Sequence, residues 1–323
     1  MALISWNKLV YGWDLDDIGT ELLLVPDFNH WLINKDTQVF DEEMFAQHIE
    51  EKNIKAVYFK VSDANNTTGQ QFYDWTADKW YALSRKYNLA AGGYHWLQPS
   101  VDPKNAWDFY HDWLKDHPCE LPPILDFEET KIPSAADIIW RAKEWFGYAN
   151  AYAGERALMY TGLGYIDTLR GKLGNEGKTS VQIKDILLPF GQQPLILAYY
   201  SRYEPKEGVR RNMKYRIVDG KELWPWEDYV AWQYSPNADD PYYLDGDNKN
   251  AQEWGFESKG LDMNYFRASY LSRFIDQTPQ IPPDVPQPAD PTLTEAIDGW
   301  TAELNSITSK MQAYRDSVER GEP

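Results

Sequence analysis

The chain has little cysteine and little positive charge. Cys119 is the single cysteine among 323 residues, so no internal disulfide framework can form and the composition suits folding in a reducing cytosol. No evident base lies beside Cys119 in the sequence, and we expect it to be structural. The 32 Lys and Arg residues against 50 Asp and Glu residues give a formal net charge of -18. This charge argues against binding to nucleic acid or to an anionic membrane surface.

Long apolar runs and metal-ligand spacings are also missing. Residues 1–8 lack a basic segment followed by a long apolar run, so we expect neither a signal peptide nor membrane insertion. The protein is therefore expected to be made in the cytoplasm and to reach any target beyond the membrane through another system. The five His residues show no metal-ligand spacing, and no glycine loop with a phosphate-binding Lys is present. We predict no metal and no cofactor.

Aromatic residues, by contrast, are abundant, with 15 Trp and 22 Tyr. Flat rings at this density suit a carbohydrate cleft, where they stack on the faces of sugars. Aromatic side chains also fill ordinary protein cores, so the composition alone leaves both interpretations open.

Two carboxylates follow a proline pair and a short apolar run. Residues 121–129 read Leu-Pro-Pro-Ile-Leu-Asp-Phe-Glu-Glu, which predicts a strand over 123–128. Side chains at positions i and i+2 of a strand share one face, roughly 6.6 Å apart at the backbone, so Asp126 and Glu128 should face the same side. Close carboxylates cannot both ionise freely, and a proton donor beside a charged carboxylate is what glycosidic bond cleavage requires. The alternative is that one of them caps a helix or pairs with a Lys or Arg.

Strand-like and helix-like segments alternate through most of the chain. Such alternation predicts a parallel sheet with helices packed on it, and eight strands predict an α/β fold of the (β/α)8-like barrel type. Chemistry in these barrels gathers at the C-terminal ends of the strands. Strands are predicted over 22–28, 56–62, 90–97, 123–128, 157–162, 195–200, 229–235 and 261–266, and helices over 41–51, 70–87, 103–117 and 135–153.

The composition changes after residue 276. Residues 277–291 are rich in Pro, which predicts a semi-rigid extended linker. Residues 292–323 follow with apolar side chains at alternating intervals of four and three, a coiled-coil-like heptad pattern. We expect a barrel over 1–276, and a helix over 292–320 that makes a homo-oligomer or docks on a partner, fold-back onto the barrel being the alternative. The heptad residues are Leu293, Ile297, Trp300, Leu304, Ile307, Met311, Tyr314 and Val318.

Seven short motifs stand in one order along the barrel segment. They are residues 26–31, 59–64, 92–96, 121–128, 160–161, 231–235 and 261–264. Taken together, these motifs resemble the lysozymes of glycoside hydrolase family 25, the muramidases common among phage endolysins. The resemblance covers about residues 22 to 270.

The resemblance implies an enzyme that cuts the β-1,4 bond between N-acetylmuramic acid and N-acetylglucosamine in bacterial peptidoglycan, free as an endolysin or carried on a virion. Its four active-site carboxylates fall on Asp27, Asp126, Glu128 and Asp262. Glu128 is then the expected general acid. Asp126 is expected to stabilise the transition state or to orient the substrate's acetamido oxygen. Candidate sugar platforms are Tyr94, Trp96, Tyr199, Trp232 and Tyr234.

Departures from the family pattern leave alternatives open. Asn29 stands where the family has Ser, and Asp63-Ala64 stands where it has Glu-Gly, so contacts to the sugar can differ. A family 18 chitinase is set aside because its motif requires Asp at the position of Ile124. The alternative from another class is a catalytically silent protein on the same barrel, either cell-wall-binding or structural in a virion. Intact carboxylates argue against it.

Overall fold

The structure is a computed structural model. It describes residues 22–153, 157–198, 217–218, 221–226, 228–235, 250–257 and 260–275. The linker expected over 277–291 and the heptad helix expected over 292–320 lie outside these residues, so they and the domain boundaries stay predictions. Within the described ranges, no helix is both long enough and apolar enough to cross a bilayer.

Strands and helices alternate as the sequence predicts. The strands are β1 (Leu22–Phe28), β2 (Ala56–Ala64), β3 (Gln71–Tyr73), β4 (Ala90–Trp96), β5 (Ile124–Asp126), β6 (Leu158–Thr161), β7 (Leu195–Ala198), β8 (Ile217–Val218), β9 (Lys221–Glu222), β10 (Ala231–Ser235) and β11 (Asp262–Arg267). The helices are α1 (Glu42–Glu51), α2 (Ala77–Lys86), α3 (Pro103–Asp116), α4 (Ala135–Ala153), α5 (Leu163–Asn175), α6 (Ser180–Leu187), α7 (Asn250–Glu253) and α8 (Ala268–Ile275).

Eight of the strands close into a barrel, which confirms the predicted fold. Their order around the barrel is β1, β2, β4, β5, β6, β7, β10 and β11, and pairing of β1 with both β2 and β11 closes the ring. β3 lies outside the ring as an antiparallel partner of β2. β8 and β9 form a separate two-stranded hairpin.

The direction of the last strand differs from the prediction. β11 runs antiparallel to both of its neighbours, β1 and β10, so the expectation of a wholly parallel sheet is wrong for this strand. The hydrophobic pattern of a barrel strand is the same in either direction, so the sequence cannot reveal the reversal. Because of it, the beginning of β11 lies at the rim where the parallel strands end.

The predicted helix over 70–87 is shorter than expected. Its first residues form β3, and α2 begins only at Ala77. The physical reason is the partner that β2 offers, because Phe72 and Tyr73 pair with Asp63 and Ser62. Aromatic side chains favour such a pleated surface. Helix α1 begins one residue later than predicted and ends at Glu51, as predicted. Its first N–H groups are capped by the Asp41 carboxylate.

Apolar side chains fill two layers. One layer lies between the strands and the surrounding helices, and the other fills the barrel interior. Gly92 lets the Tyr58 ring occupy the interior, because a Cβ at this position would collide with the ring. Tyr270 and Phe274 of α8 join the interior core. Since α8 follows the end of β11, it plugs the barrel at the end opposite to the rim where the parallel strands end.

Candidate active site

A cavity of about 530 Å³ lies within the rim where the parallel strands end. The four predicted carboxylates all line it, although they come from three different parts of the chain. β1 contributes Asp27, the β5 segment contributes Asp126 and Glu128, and the first residue of β11 is Asp262. The structure therefore brings the four predicted side chains together at one cavity.

The β5 segment alternates between the cavity and the outer core. Ile124, Asp126 and Glu128 line the cavity, whereas Leu125 and Phe127 are buried in the layer beneath the helices. β5 itself ends at Asp126, shorter than the strand predicted over 123–128, yet the alternation continues to Glu128. The two carboxylates thus face the same side, as the i, i+2 spacing predicts.

The other two carboxylates meet at the barrel seam. Asp27 and Asp262 are direct partners on the antiparallel strands β1 and β11. Side chains of such pairs lie on the same face with Cβ atoms roughly 4.5–5.5 Å apart. Asp27 Oδ1 is buried and has no hydrogen-bond partner within the described part of the chain. Two acids with little solvation therefore stand side by side.

Burial raises the pKa of every member of the cluster, because removal from solvent disfavours the charged form. The pKa of Glu128 rises to about 7, through burial first and then the neighbouring Glu129. The pKa of Asp27 rises to about 8, where burial outweighs the lowering effect of Lys60. Burial raises the pKa of Asp126 well above its usual range, with the charge of Glu128 as the next cause. Asp262 shows the same direction, through burial and then Asp27.

Among the described residues that line the cavity, Lys60 is the one with a positively charged side chain. It lies in the motif over 59–64, but it is not among the site residues predicted from the sequence. Its Nζ lies 2.6 Å from Asp63 Oδ2 and 5.0 Å from the centre of the Trp96 ring. Asp63 also accepts hydrogen bonds from the Gln98 side chain and the Ala64 N–H. The charge of Lys60 lowers the pKa of Asp27, Asp126 and Glu128. Asp63, which replaces the family's Glu, thus keeps a cation close to the carboxyl cluster.

Two of the predicted sugar platforms line the cavity, Tyr94 and Trp96. The Trp96 indole Nε1 is buried and lacks a hydrogen-bond partner among the described residues. Tyr160 and Gln233 also line the cavity, and the Tyr160 hydroxyl donates to Gln233 Oε1 at 2.6 Å. Their motifs, over 160–161 and 231–235, are the signal that could have identified them.

Trp232 is a wrong prediction. Its side chain is fully buried in the layer between the barrel and the helices. The cause is strand alternation, because Gln233 faces the cavity and its neighbour must therefore face outward. Tyr199 lies outside the described residues, as does the side chain of Tyr234. Their proposed contacts with sugar stay predictions.

Other reactive side chains of the described chain lie away from the cavity. Ser62 Oγ and His95 Nδ1 are 2.8 Å apart, but both side chains are buried. Burial lowers the pKa of His95 to about 4, and it raises the pKa of the Cys119 thiol to about 12. In the described ranges, no group of three or more His, Cys, Asp or Glu side chains is arranged to hold a metal ion.

Part of the chain matches a known protein family. The family model described as "Glycosyl hydrolases family 25" matches residues 35–183, which hold β2, β4, β5 and β6 of the barrel. This segment is similar to the proteins of glycosyl hydrolase family 25, and it makes up less than half of the chain. The resemblance read from the sequence motifs is thereby confirmed. The matched segment contains Asp126 and Glu128, whereas Asp27 and Asp262 lie on either side of it.

Individual proteins that this chain resembles are distant in sequence. The uncharacterized protein YegX of Escherichia coli strain K12 is 22% identical over 133 residues, 41% of this chain and 49% of that protein. The chain thus matches about half the length of its curated relatives. The spore cortex lytic enzyme SleM of Clostridium perfringens is 21% identical, with a TM-score of 0.50 over 76% of this chain and 67% of that one. The bacterial lysozyme of Streptomyces coelicolor is 14% identical, with a TM-score of 0.51 over 80% and 98%. Both structures share the fold.

Proposed function

We propose that this chain is a peptidoglycan hydrolase, an N-acetylmuramidase that cleaves the β-1,4 bond between N-acetylmuramic acid and N-acetylglucosamine. The observation that carries the proposal is the cavity in which Glu128, with its pKa raised to about 7, lies beside Asp126 on one face of the β5 segment. The names of two structural neighbours, a bacterial lysozyme and a spore cortex lytic enzyme, support the same substrate class.

Glu128 is the proposed proton donor. An ordinary Glu is ionised at neutral pH, whereas a group with a pKa of about 7 still holds its proton in a large fraction of molecules. It transfers that proton to the bridging oxygen as the glycosidic bond breaks, and the sugar left behind develops positive charge at its anomeric carbon. The Glu128 carboxylate that remains can then accept a proton from the attacking water.

Asp126 is proposed to act on the positive charge. Lys60 favours the ionised form of Asp126 against the effect of burial, and a developing oxocarbenium ion favours it further. The carboxylate then stabilises this charge directly or orients the acetamido oxygen of the substrate as the nucleophile. The paired carboxyls of Asp27 and Asp262 hold the geometry and the charge balance of the site.

The chemical test is the identity of the new reducing ends. Purified sacculi are digested with the full chain, the products are reduced with borohydride, and the fragments are identified by mass spectrometry. Muramidase action gives reduced muramic acid, whereas reduced glucosamine would overturn the bond assignment. Absence of any new reducing ends would instead favour the silent wall-binding or virion protein.

The phage role and the association state extend this proposal. The endolysin-like motifs support release onto the cell wall by a separate system, or carriage on a virion. The heptad pattern over 292–320 supports a homo-oligomer or a virion protein as partner. Sedimentation of the full chain and of a chain ending at Asp276 tests this. An oligomer that becomes an active monomer on truncation supports self-association, and a monomeric full chain excludes it.

A further inference from the structure

One aromatic side chain at the mouth of the cavity is unusually exposed. Trp31 leaves 76% of its surface in solvent, more than any other large apolar residue of the described chain, and it also lines the cavity. An indole that stays in solvent forgoes the stabilisation that burial of its apolar surface would provide. A ring in this position is suited to cover a ligand that enters the cavity.

The backbone on both sides of Trp31 is firmly held. Trp31 belongs to a single 3-10 turn, His30–Leu32, and its N–H donates to Asn29 Oδ1 at 2.9 Å. The ring packs on the His30 ring, with 4.4 Å between centroids. His30 Nδ1 and Asp74 Oδ2 are 2.6 Å apart, and the His30 N–H donates to the same oxygen. Because Asp74 is 96% buried, this contact fastens the turn to the end of β3.

Exposed aromatic side chains continue on the other side of this contact. Phe72 lies two residues before Asp74 and Trp75 directly after it, and the two side chains are 43% and 39% exposed. Phe72 is the direct strand partner of Asp63, so the two side chains share a face. The Asp63 carboxylate holds Lys60 in the cavity. Phe72 therefore lies on the cavity side of the β2–β3 hairpin.

The hairpin has the chemistry of a sugar-binding surface. Residues 64–73 read Ala-Asn-Asn-Thr-Thr-Gly-Gln-Gln-Phe-Tyr, with no charged side chain in a protein of net charge -18. Amide and hydroxyl groups match the hydroxyl and acetamido groups of amino sugars, and aromatic rings cover their apolar faces. Within residues 64–73 a charged partner would find no complementary charge, and this segment carries no aliphatic side chain larger than Ala64.

We propose that Trp31 and Phe72 form an aromatic shelf that binds further hexosamine rings of the glycan strand, outside the pair of sugars that is cleaved. A glycan chain bound in the cavity contacts Trp31 at the mouth of the cavity. The part of the glycan that remains outside the cavity extends along the neutral hairpin. The His30–Asp74 contact is the positioning element that keeps both parts of the shelf in register. The proposal rests on the glycan substrate proposed above. The shelf would give the protein a preference for long glycan chains over short fragments.

A binding experiment without turnover tests the shelf. Full chain carrying Glu128→Gln is mixed with purified sacculi and the bound fraction is measured by sedimentation. Adding Trp31→Ala or Phe72→Ala is expected to weaken binding roughly three- to tenfold each, the scale of one aromatic contact. Trp31→Tyr should restore most of the loss. Trp140→Ala is the matched control, because Trp140 is 46% exposed on α4 and does not line the cavity.

A kinetic experiment separates the shelf from a structural role. In the otherwise native chain, Trp31→Ala and Phe72→Ala should raise KM on sacculi more than on short soluble glycan fragments, with kcat the lesser effect. Asp74→Asn should reproduce part of the Trp31→Ala phenotype. Three results would each overturn the shelf. They are equal losses on long and short substrates, binding of the shelf variants equal to that of Trp140→Ala, and failure of the Glu128→Gln chain to sediment with sacculi. If the native chain releases no reducing ends, the proposed function fails, and the sedimentation arm still decides the shelf.

Discussion

Phe127 is bonded to β6 on both sides of its backbone, beyond the last residue of β5. Its N–H donates to the Tyr160 carbonyl oxygen at 2.9 Å, and its own carbonyl accepts from the Thr161 hydroxyl at 2.8 Å. These two bonds keep the chain extended for two residues after Asp126. Glu128 therefore stays on the cavity face although it no longer belongs to a strand, which places the proposed proton donor on a fixed backbone.

Replacing Glu128 with Gln should abolish most turnover while the site keeps its shape. The amide has no titratable proton, so the rate on sacculi should fall by roughly 10²-fold or more. The measurement is the release of reducing ends, with Glu144→Gln, an exposed position on α4, as the control. Full activity in Glu128→Gln would remove Glu128 as the acid.

Replacing Asp126 with Asn should lower kcat more than it weakens glycan binding, because the charge of Asp126 acts on the transition state. Affinity for sacculi is expected to stay within a few-fold of the native value. Asp27→Asn and Asp262→Asn should reduce kcat less. A loss confined to affinity would make Asp126 a binding residue instead.

The activity should decline as the pH rises through about 7, since the pKa of Glu128 is raised to about that value and the acid must keep its proton. Burial is the main cause and the charge of Glu129 is the second. Glu129→Gln removes that charge, so the alkaline limb of kcat/KM should move to lower pH. The limb reports the coupled carboxyl cluster as a whole. An unmoved limb would contradict the role of Glu129.

Stability should fall as the pH rises toward 8. The folded state raises the pKa of Asp27 from 3.8 to about 8, so it binds this proton more tightly than the unfolded chain does. The folded protein therefore loses stability progressively between these two pKa values as the pH rises. Asp27→Asn removes this cost and should raise the Tm at pH 8 by about 2–6 °C relative to its effect at pH 5.

Thermal unfolding of both proteins at pH 5 and pH 8 provides the measurement. Asp36→Asn, at an exposed position beside the same rim segment, serves as the control for loss of one negative charge. If the Tm of Asp27→Asn depends on pH as strongly as that of the native chain, Asp27 does not carry this cost.

Local patterns in the sequence predict the barrel and its carboxyl cluster well. β1 has the predicted bounds of 22–28, and the i, i+2 spacing places Asp126 and Glu128 on one face. These features depend on strand periodicity and on the rim of a barrel, both of which are readable from short segments.

Other features depend on contacts between distant segments, which no local pattern records. Both faces of a barrel strand are buried, so the sequence shows that Trp232 is apolar but not which layer it joins. The direction of β11 is equally invisible. The contact between His30 and Asp74 joins residues 44 positions apart, and the pairing of Lys60 with Asp63 depends on an irregularity in β2 between residues 60 and 62.

The barrel seam also bears on the order of folding. The Asn264 side-chain amide donates to the Val25 carbonyl across 239 residues of chain, and contacts of such long range must overcome a large loop-closure entropy before they can form. Asp27 and Asp262 lie on this seam, whereas Asp126 and Glu128 lie on the β5 segment, whose neighbouring strands are closer in sequence. A folding chain can thus order one pair of acids early, but it brings all four together only when β1 pairs with β11. The complete carboxyl cluster would then form abruptly, at the end of folding.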